Sequence, residues 1–161
     1  MNIFIAVPTY DGKLFASCAR SLQNEIQLSA SFGHNLKVTF LPGCSLISHA
    51  RNQLAQQFLD DPHAHRMVFI DADVGWEAGS LMRLACYNKD VVAGIYRFKV
   101  EKESYPMGFF TKKGEREFED GLMTAAGVPM GFTAISRNCL ETFRDRTPQR
   151  AYTFQGQAQH A

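Results

Sequence analysis

Short apolar runs alternate with helically spaced apolar stripes along residues 1–96, and this alternation constrains the fold more than any other feature of the chain. Ile3-Phe4-Ile5-Ala6-Val7 reads as a strand buried on both faces, stopped by Pro8, after which Thr9-Tyr10-Asp11-Gly12 supplies turn chemistry. Leu14, Cys18, Leu22 and Ile26, with Phe15 and Ala19 beside them, share a spacing of four and predict a helix that ends at Gly33-His34-Asn35. Leu36 to Leu41 is a second strand, closed by Pro42-Gly43. A second helix is expected to start at Ser48 as N-cap and to bury Ala50, Leu54 and Phe58, with Ile47, Ala55 and Leu59 flanking, before Asp60-Asp61-Pro62 breaks it. Met67-Val68-Phe69-Ile70 is a third strand that runs straight into Asp71-Ala72-Asp73. A helix over roughly Glu77 to Tyr87 buries Leu81, Leu84 and Ala85, and Asp90 to Tyr96 reads as a fourth strand. Strands without a polar face, separated by helices, predict an α/β fold with a mostly parallel sheet and helices on both faces.

After residue 96 the pattern changes. Arg97 to Glu103 and Lys112 to Asp120 are charged, with a hairpin expected near Tyr105 to Phe110. Met130 to Ile135 reads as a strand, Arg137 to Phe143 as a short helix, and the tail from Thr147 as polar and weakly patterned. No linker divides the 161 residues, so a single domain is expected, made of a βαβ half (1–96) and an irregular half (97–161). With 45% hydrophobic and 20% charged residues, the chain is neither disordered, collagen-like nor a coiled coil. Lys and Arg number 17 against 16 Asp and Glu, so there is no basic surplus to suggest a nucleic-acid partner. No apolar run approaches the roughly 20 residues that span a bilayer, and no basic stretch precedes Ile3, so neither a transmembrane segment nor a signal peptide is expected. The four cysteines form no CxxC pair. Cys18, Cys86 and Cys139 are expected as small buried hydrophobes on apolar helix faces, in a reducing cytoplasm.

The chemistry gathers where strands end. Asp71 and Asp73, one residue apart at the end of an apolar strand, would repel each other. A cation such as Mg²⁺ or Mn²⁺ resolves this, because it prefers oxygen and takes one or two carboxylates together with substrate phosphates. An exposed loop with Asp73 capping the next helix is the plainer alternative. Pro8-Thr9-Tyr10-Asp11 follows the first strand at the same sheet edge. There Tyr10 can stack on a base and Thr9 and Asp11 can hydrogen-bond a nucleoside, or one of these two simply caps the helix. Arg51, in Ser48-His49-Ala50-Arg51-Asn52, suits a bidentate phosphate or base contact, or is a solvated helix residue. His49 reads as a surface or satisfied core residue rather than a ligand. Neither GxGxxG nor GxxxxGK[ST] is present.

These segments, in this order, resemble the GT-A, Rossmann-like nucleotide-diphospho-sugar transferases, more narrowly the family-two-like glycosyltransferases of phages and bacteria. The likeness rests on Ile5 to Tyr10, Ala50-Arg51-Asn52, Val68 to Val74, Val91 to Tyr96 and Gly131 to Arg137, and spans about residues 1–143. The resemblance implies that Pro8, Thr9 and Tyr10 sit at the base and ribose and that Arg51 contacts the nucleotide. It implies further that Asp71 approaches the ribose or sugar and that Asp73 ligates the Mn²⁺ or Mg²⁺ that holds the diphosphate. The sugar would then pass to an acceptor hydroxyl bound by the half after residue 97. Inverting members carry a Glu-Asp pair after the unit that Met130 to Phe143 resembles. The sole Glu-Asp here, Glu119-Asp120, precedes that unit, and His160 is a poor match to the later metal-binding His, so no catalytic base is assigned. The C-terminal part is expected to be short or truncated relative to the family's domain. Two other readings stay open. One is a degenerate, non-catalytic nucleotide-sugar-binding fold. The other is a DxD phosphatase with Asp71 as nucleophile and Asp73 as acid, although Gly75 stands where that family has Thr or Val. With the sheet edge and Phe109-Phe110 short of cover, a homodimer is expected, its interface drawn mostly from residues after 97.

Overall fold

The first strand, β1 (Asn2–Thr9), has no polar side chain between Ile3 and Pro8, and Ile3 to Thr9 are all buried. Alternation sends Ile3, Ile5 and Val7 into one layer and Phe4 and Ala6 into the other, so both faces of the sheet are covered. This computed structural model describes residues 1–97, 105, 108–109, 118–148, 151–154 and 157–160, with 108–109, 151–154 and 157–160 described by backbone alone.

Around β1 run α1 (Ala16–Ser31), β2 (Asn35–Pro42), α2 (Ile47–Asp60), β3 (Arg66–Ile70), α3 (Ser80–Cys86) and β4 (Val91–Ala93). Then follow β5 (Gly108–Phe109), β6 (Phe118–Glu119), β7 (Leu122–Met123), β8 (Ala125–Gly127), β9 (Phe132–Ser136), α4 (Arg137–Arg146), β10 (Ala151–Phe154) and β11 (Gln157–His160). The central sheet has the order β2-β1-β3-β9-β4. β2 and β3 flank β1 in parallel, whereas β9 is antiparallel to both of its neighbours. Four of the five strands therefore run in one direction, as the alternation of strands and helices predicts, and β9 alone is reversed, which makes the sheet mixed. The strand expected at Met130 to Ile135 enters from the opposite end and wedges between β3 and β4. Nothing in its apolar composition encodes that direction.

The helices cover both faces, as expected. α1 packs Cys18 and Leu22 with Leu81, Leu84 and Ala85 of α3 on one face. α2 packs Leu54 and Phe58 on the other, with Cys139 and Leu140 of α4 beside them. Each large apolar side chain fully buried this way contributes about 1.5–3 kcal/mol. Ala50, Leu54 and Phe58 are the buried stripe of α2, as their spacing predicts.

Other local expectations need correction. Leu46, not Ser48, occupies the N-cap of α2 and makes no side-chain cap. Ile26 is exposed, and Phe15 precedes α1 and is exposed as well, because the buried face of that helix is shared by Cys18, Ser21, Leu22, Glu25 and Ser29. Cys86 is exposed at the end of α3, while Cys18 is buried and Cys139 half-buried. α3 starts only at Ser80, because Gly79 takes a left-handed conformation (φ 86°) that ends the preceding loop. The fourth strand is cut to Val91–Ala93. Among the described parts of 97–127, β5 pairs with β8 and β6 with β7, both antiparallel. The rest of the charged stretches, including Phe110, lies outside the described residues. The tail forms an antiparallel pair, β10 with β11, lying against α2, where weak patterning suggests no structure.

Candidate functional site at the ends of β1 and β3

The chain runs from β1 through α1 to β2 on one side, then through α2 back past β1 to β3 on the other. The carboxyl ends of β1 and β3 therefore meet where the winding reverses, the place where open α/β sheets leave a crevice for ligands. A cleft of about 610 Å³ lies there. It is lined by Pro8, Thr9, Tyr10 and Asp11 from the end of β1 and by Asp71, Ala72 and Asp73 from the end of β3. The structure thus joins two segments some 60 residues apart that the sequence nominates separately.

Each side chain is set by backbone bonds around it. Gly12 N–H donates to Thr9 O (3.2 Å) and closes the turn after β1. Gly43 N–H donates to Tyr10 O (3.0 Å), tying the end of β2 to the same turn. Thr9 is buried, whereas Tyr10 is 70% exposed and offers its ring to the cleft mouth. Asp11 accepts from Lys13 N–H (3.1 Å) and ion-pairs with its ammonium (3.1 Å). The hydrogen bond from the Lys13 side chain, then that from its backbone, holds the Asp11 carboxyl below its ordinary range. Lys13, Phe15, Cys44 and Ile47 also line the cleft, and none of them is marked by a motif.

On the β3 side, Val74 N–H donates to Asp71 O (3.0 Å) and Phe15 N–H to Ala72 O (3.0 Å), so the start of α1 braces the acidic turn. Cys18 lies beneath it, its thiol 3.9 Å from Asp71 O and pushed up from 9.0 to about 11 by burial and then by the charge of Asp73. Asp73 is exposed.

Asp71 does not stand unsatisfied beside Asp73, as the bare pair suggests. Arg51 Nη2 donates to its Oδ1 at 2.8 Å, both side chains being about a quarter to a third exposed. Arg51 sits one turn into α2 and points at the acidic turn rather than lining the cleft. Its Nε is buried without a hydrogen-bond partner among the described residues. The other Asp71 oxygen faces Gly131, where an added Cβ would lie 2.5 Å from both Oδ2 and the Tyr96 hydroxyl. Asp71 N–H in turn donates to Gly131 O (2.9 Å). Burial, then the Asp71 charge, pushes the Tyr96 phenol up. Tyr96 and Gly131, which lie in segments that carry the resemblance, complete the surroundings of Asp71, a role that only the folded chain reveals.

Among the described residues no group of three or more His, Cys, Asp and Glu side chains is placed to hold a metal ion. Nor is any helix among them long and apolar enough to cross a membrane.

No protein-family model matches the chain, and no curated protein matches it. Among solved structures it is similar to the crystal structure of A197 from STIV, with a TM-score of 0.58 and 22% identity. The match covers 87% of this chain and 66% of that one, so this chain spans just under two thirds of A197. At that identity the likeness is one of fold.

Proposed function

We propose that the cleft at the ends of β1 and β3 binds a nucleotide-diphospho-sugar in the GT-A manner and that the protein passes the sugar to an acceptor hydroxyl. The observation that carries this reading is the meeting of Pro8 to Asp11 with Asp71 to Asp73 in one crevice at the reversal of the winding. Tyr10 stacks on the base, while Pro8, Thr9 and Asp11 surround the nucleoside. Asp71 addresses the ribose or sugar, and Arg51 acts through Asp71, holding its carboxylate in place from behind. Asp73, exposed beside the cleft, is the carboxylate suited to a divalent cation, Mn²⁺ or Mg²⁺. With one or two protein carboxylates, such an ion takes its remaining ligands from phosphate and water, the usual habit of Mg²⁺. When bound it neutralises charge on the departing diphosphate. The phosphatase reading is weaker, because the guanidinium of Arg51 pairs with Asp71 and offsets the charge that a nucleophilic carboxylate needs, whereas a carboxylate that only accepts hydrogen bonds from a sugar does not need it.

Asp73→Asn tests the site. The variant is expected to keep its fold and to lose the rise in melting temperature that UDP or GDP gives with Mn²⁺, since a ligand bound only to the native state stabilises it by mass action. A parent protein indifferent to both nucleotides with Mn²⁺ overturns the reading. If nucleotide binds, release of nucleoside diphosphate from UDP- and GDP-sugars separates a transferase from a non-catalytic binding protein.

The homodimer belongs to the same reading. Its interface is drawn mostly from residues after 97, where Phe118 and Phe143 are exposed, and the sheet edge β4 offers a further open surface. Light scattering at micromolar concentration is expected to give twice 18.1 kDa. A single-chain mass removes the dimer.

A further inference from the structure

We propose that a second cavity, whose lining begins directly after the Asp71–Asp73 turn, is a saccharide site with Trp76 as its stacking platform. The inference rests on the transferase reading for its purpose, since a saccharide held there is the acceptor, but it rests on separate geometry. The cavity, about 1050 Å³, starts at Val74, directly after Asp73, and is lined by Trp76, Tyr96 and Phe132 with Arg83, Lys89 and Glu119 among its polar residues.

Trp76 is held on three sides. Its backbone N–H donates to Ser21 Oγ (2.9 Å), and Ser21 Oγ–H donates to Trp76 O (2.7 Å). Its indole Nε1–H donates to Oε2 of Glu25 (3.1 Å), a fully buried carboxylate on α1. The ring lies 5.3 Å from that of Phe132, with planes 32° apart. With its N–H spent on Glu25 and Phe132 packed on one side of the ring, the half-buried indole has only the uncovered part of its π surface left to offer a ligand. A π face carries a negative quadrupole, and the C–H face of a pyranose presents the weakly positive hydrogens that match it. The sugar's hydroxyls then need polar partners, which the Lys89–Glu119 ion pair (2.8 Å) and Arg83 supply. A ring immobilised before binding also spares the ligand an ordering cost. Glu25 and Ser21 are the positioning residues of this site.

The chain contains one tryptophan, so its emission reports on this cavity directly. The full chain, without nucleotide or metal, is titrated with methyl glucoside, methyl galactoside, methyl mannoside and N-acetylglucosamine, with cyclohexanol and benzyl alcohol as apolar controls. A saturable change in emission with at least one sugar and none with the controls is expected. By calorimetry Trp76→Phe should retain that binding and Trp76→Leu should lose about tenfold or more, with nucleotide binding in Mn²⁺ kept by both. No response to any sugar, or a response to the controls alone, overturns the proposal, whether or not the leucine variant folds. Nucleotide binding without a sugar response leaves the transferase reading and removes the saccharide site. A sugar response without nucleotide binding does the reverse.

Discussion

Gly131 is a glycine because of what lies against it. Its backbone needs no left-handed conformation; a Cβ there would meet Asp71 Oδ2 and the Tyr96 hydroxyl at 2.5 Å, closer than any relaxed contact. Gly131→Ala must therefore displace both the Asp71 carboxylate and the Tyr96 hydroxyl, or shift its own backbone. Overpacking of this kind costs about 1–3 kcal/mol. The expected outcome is a folded protein of somewhat lower melting temperature whose affinity for UDP or GDP with Mn²⁺ falls far more than its stability. Equal affinity in parent and variant, by calorimetry, would show that the position of Asp71 is irrelevant to binding. Asp71, Asp73 and Arg51 are legible in the sequence because charged residues at strand and helix ends stand out against apolar neighbours. Their pairing is not. Arg51 and Asp71 are 20 residues apart, and only the return of α2 over the sheet brings the guanidinium to one carboxylate rather than to solvent or ligand. Gly131 and Tyr96 fall within segments that carry the resemblance, but nothing in the sequence places them beside Asp71.

At the scale of elements, the helix read most accurately is α2, whose apolar stripe is also its buried stripe. The stripe of α1 is read off by part of a turn, since Ser21, Glu25 and Ser29 are buried on it and Ile26 is not. Hydrophobic periodicity misses such a face because its polar groups all find partners: Ser29 bonds Ile26 O within the helix, while Ser21 and Glu25 bond partners outside it. Glu25 shows why it is buried. Its Oε2 accepts from Trp76 Nε1–H (3.1 Å) and Gly79 N–H (2.9 Å), and its Oε1 from Met82 N–H (2.9 Å). Gly79 is the N-cap of α3 and has no side chain to offer, so the carboxylate of a neighbouring helix does the capping, with a favourable alignment to the helix dipole. Glu25→Ala leaves three donors unpaired in the interior and is expected to cost about 3 kcal/mol, lowering the melting temperature by roughly 6–12 °C. Glu25→Gln keeps the shape and one oxygen acceptor and should cost about half as much. A change of less than about 1 kcal/mol on Glu25→Ala in urea denaturation would mean that water takes over the three bonds.

The alternation of strands and helices points to the α/β class, the two-sided helical cover and the crevice at the end of β3. The change of pattern after residue 96 suggests a βαβ half and an irregular half within one domain, and the strand expected at Met130 to Ile135 ties the two together. In the folded chain β9 comes from the second part yet lies inside the sheet, pairing with β3 along Arg66–Ile70 on one side and with β4 on the other. Phe132 and Ala134 belong to the core with α1 and α3, Ile135 to the core with α2, and Gly131 receives the N–H of Asp71. Removing everything after residue 97 would turn β3, buried at all five positions, into a bare edge and leave β4 with no partner in the central sheet. An apolar edge of that kind seeks another chain rather than water. The fragment 1–97 is therefore expected to aggregate or to lack a cooperative thermal transition, even though it contains Pro8 to Asp11, Arg51, Asp71 and Asp73. Circular dichroism on the purified fragment decides the matter. A sharp melting curve together with Mn²⁺-dependent nucleotide binding would mean that β9 is an addition to a self-sufficient half, not part of its core.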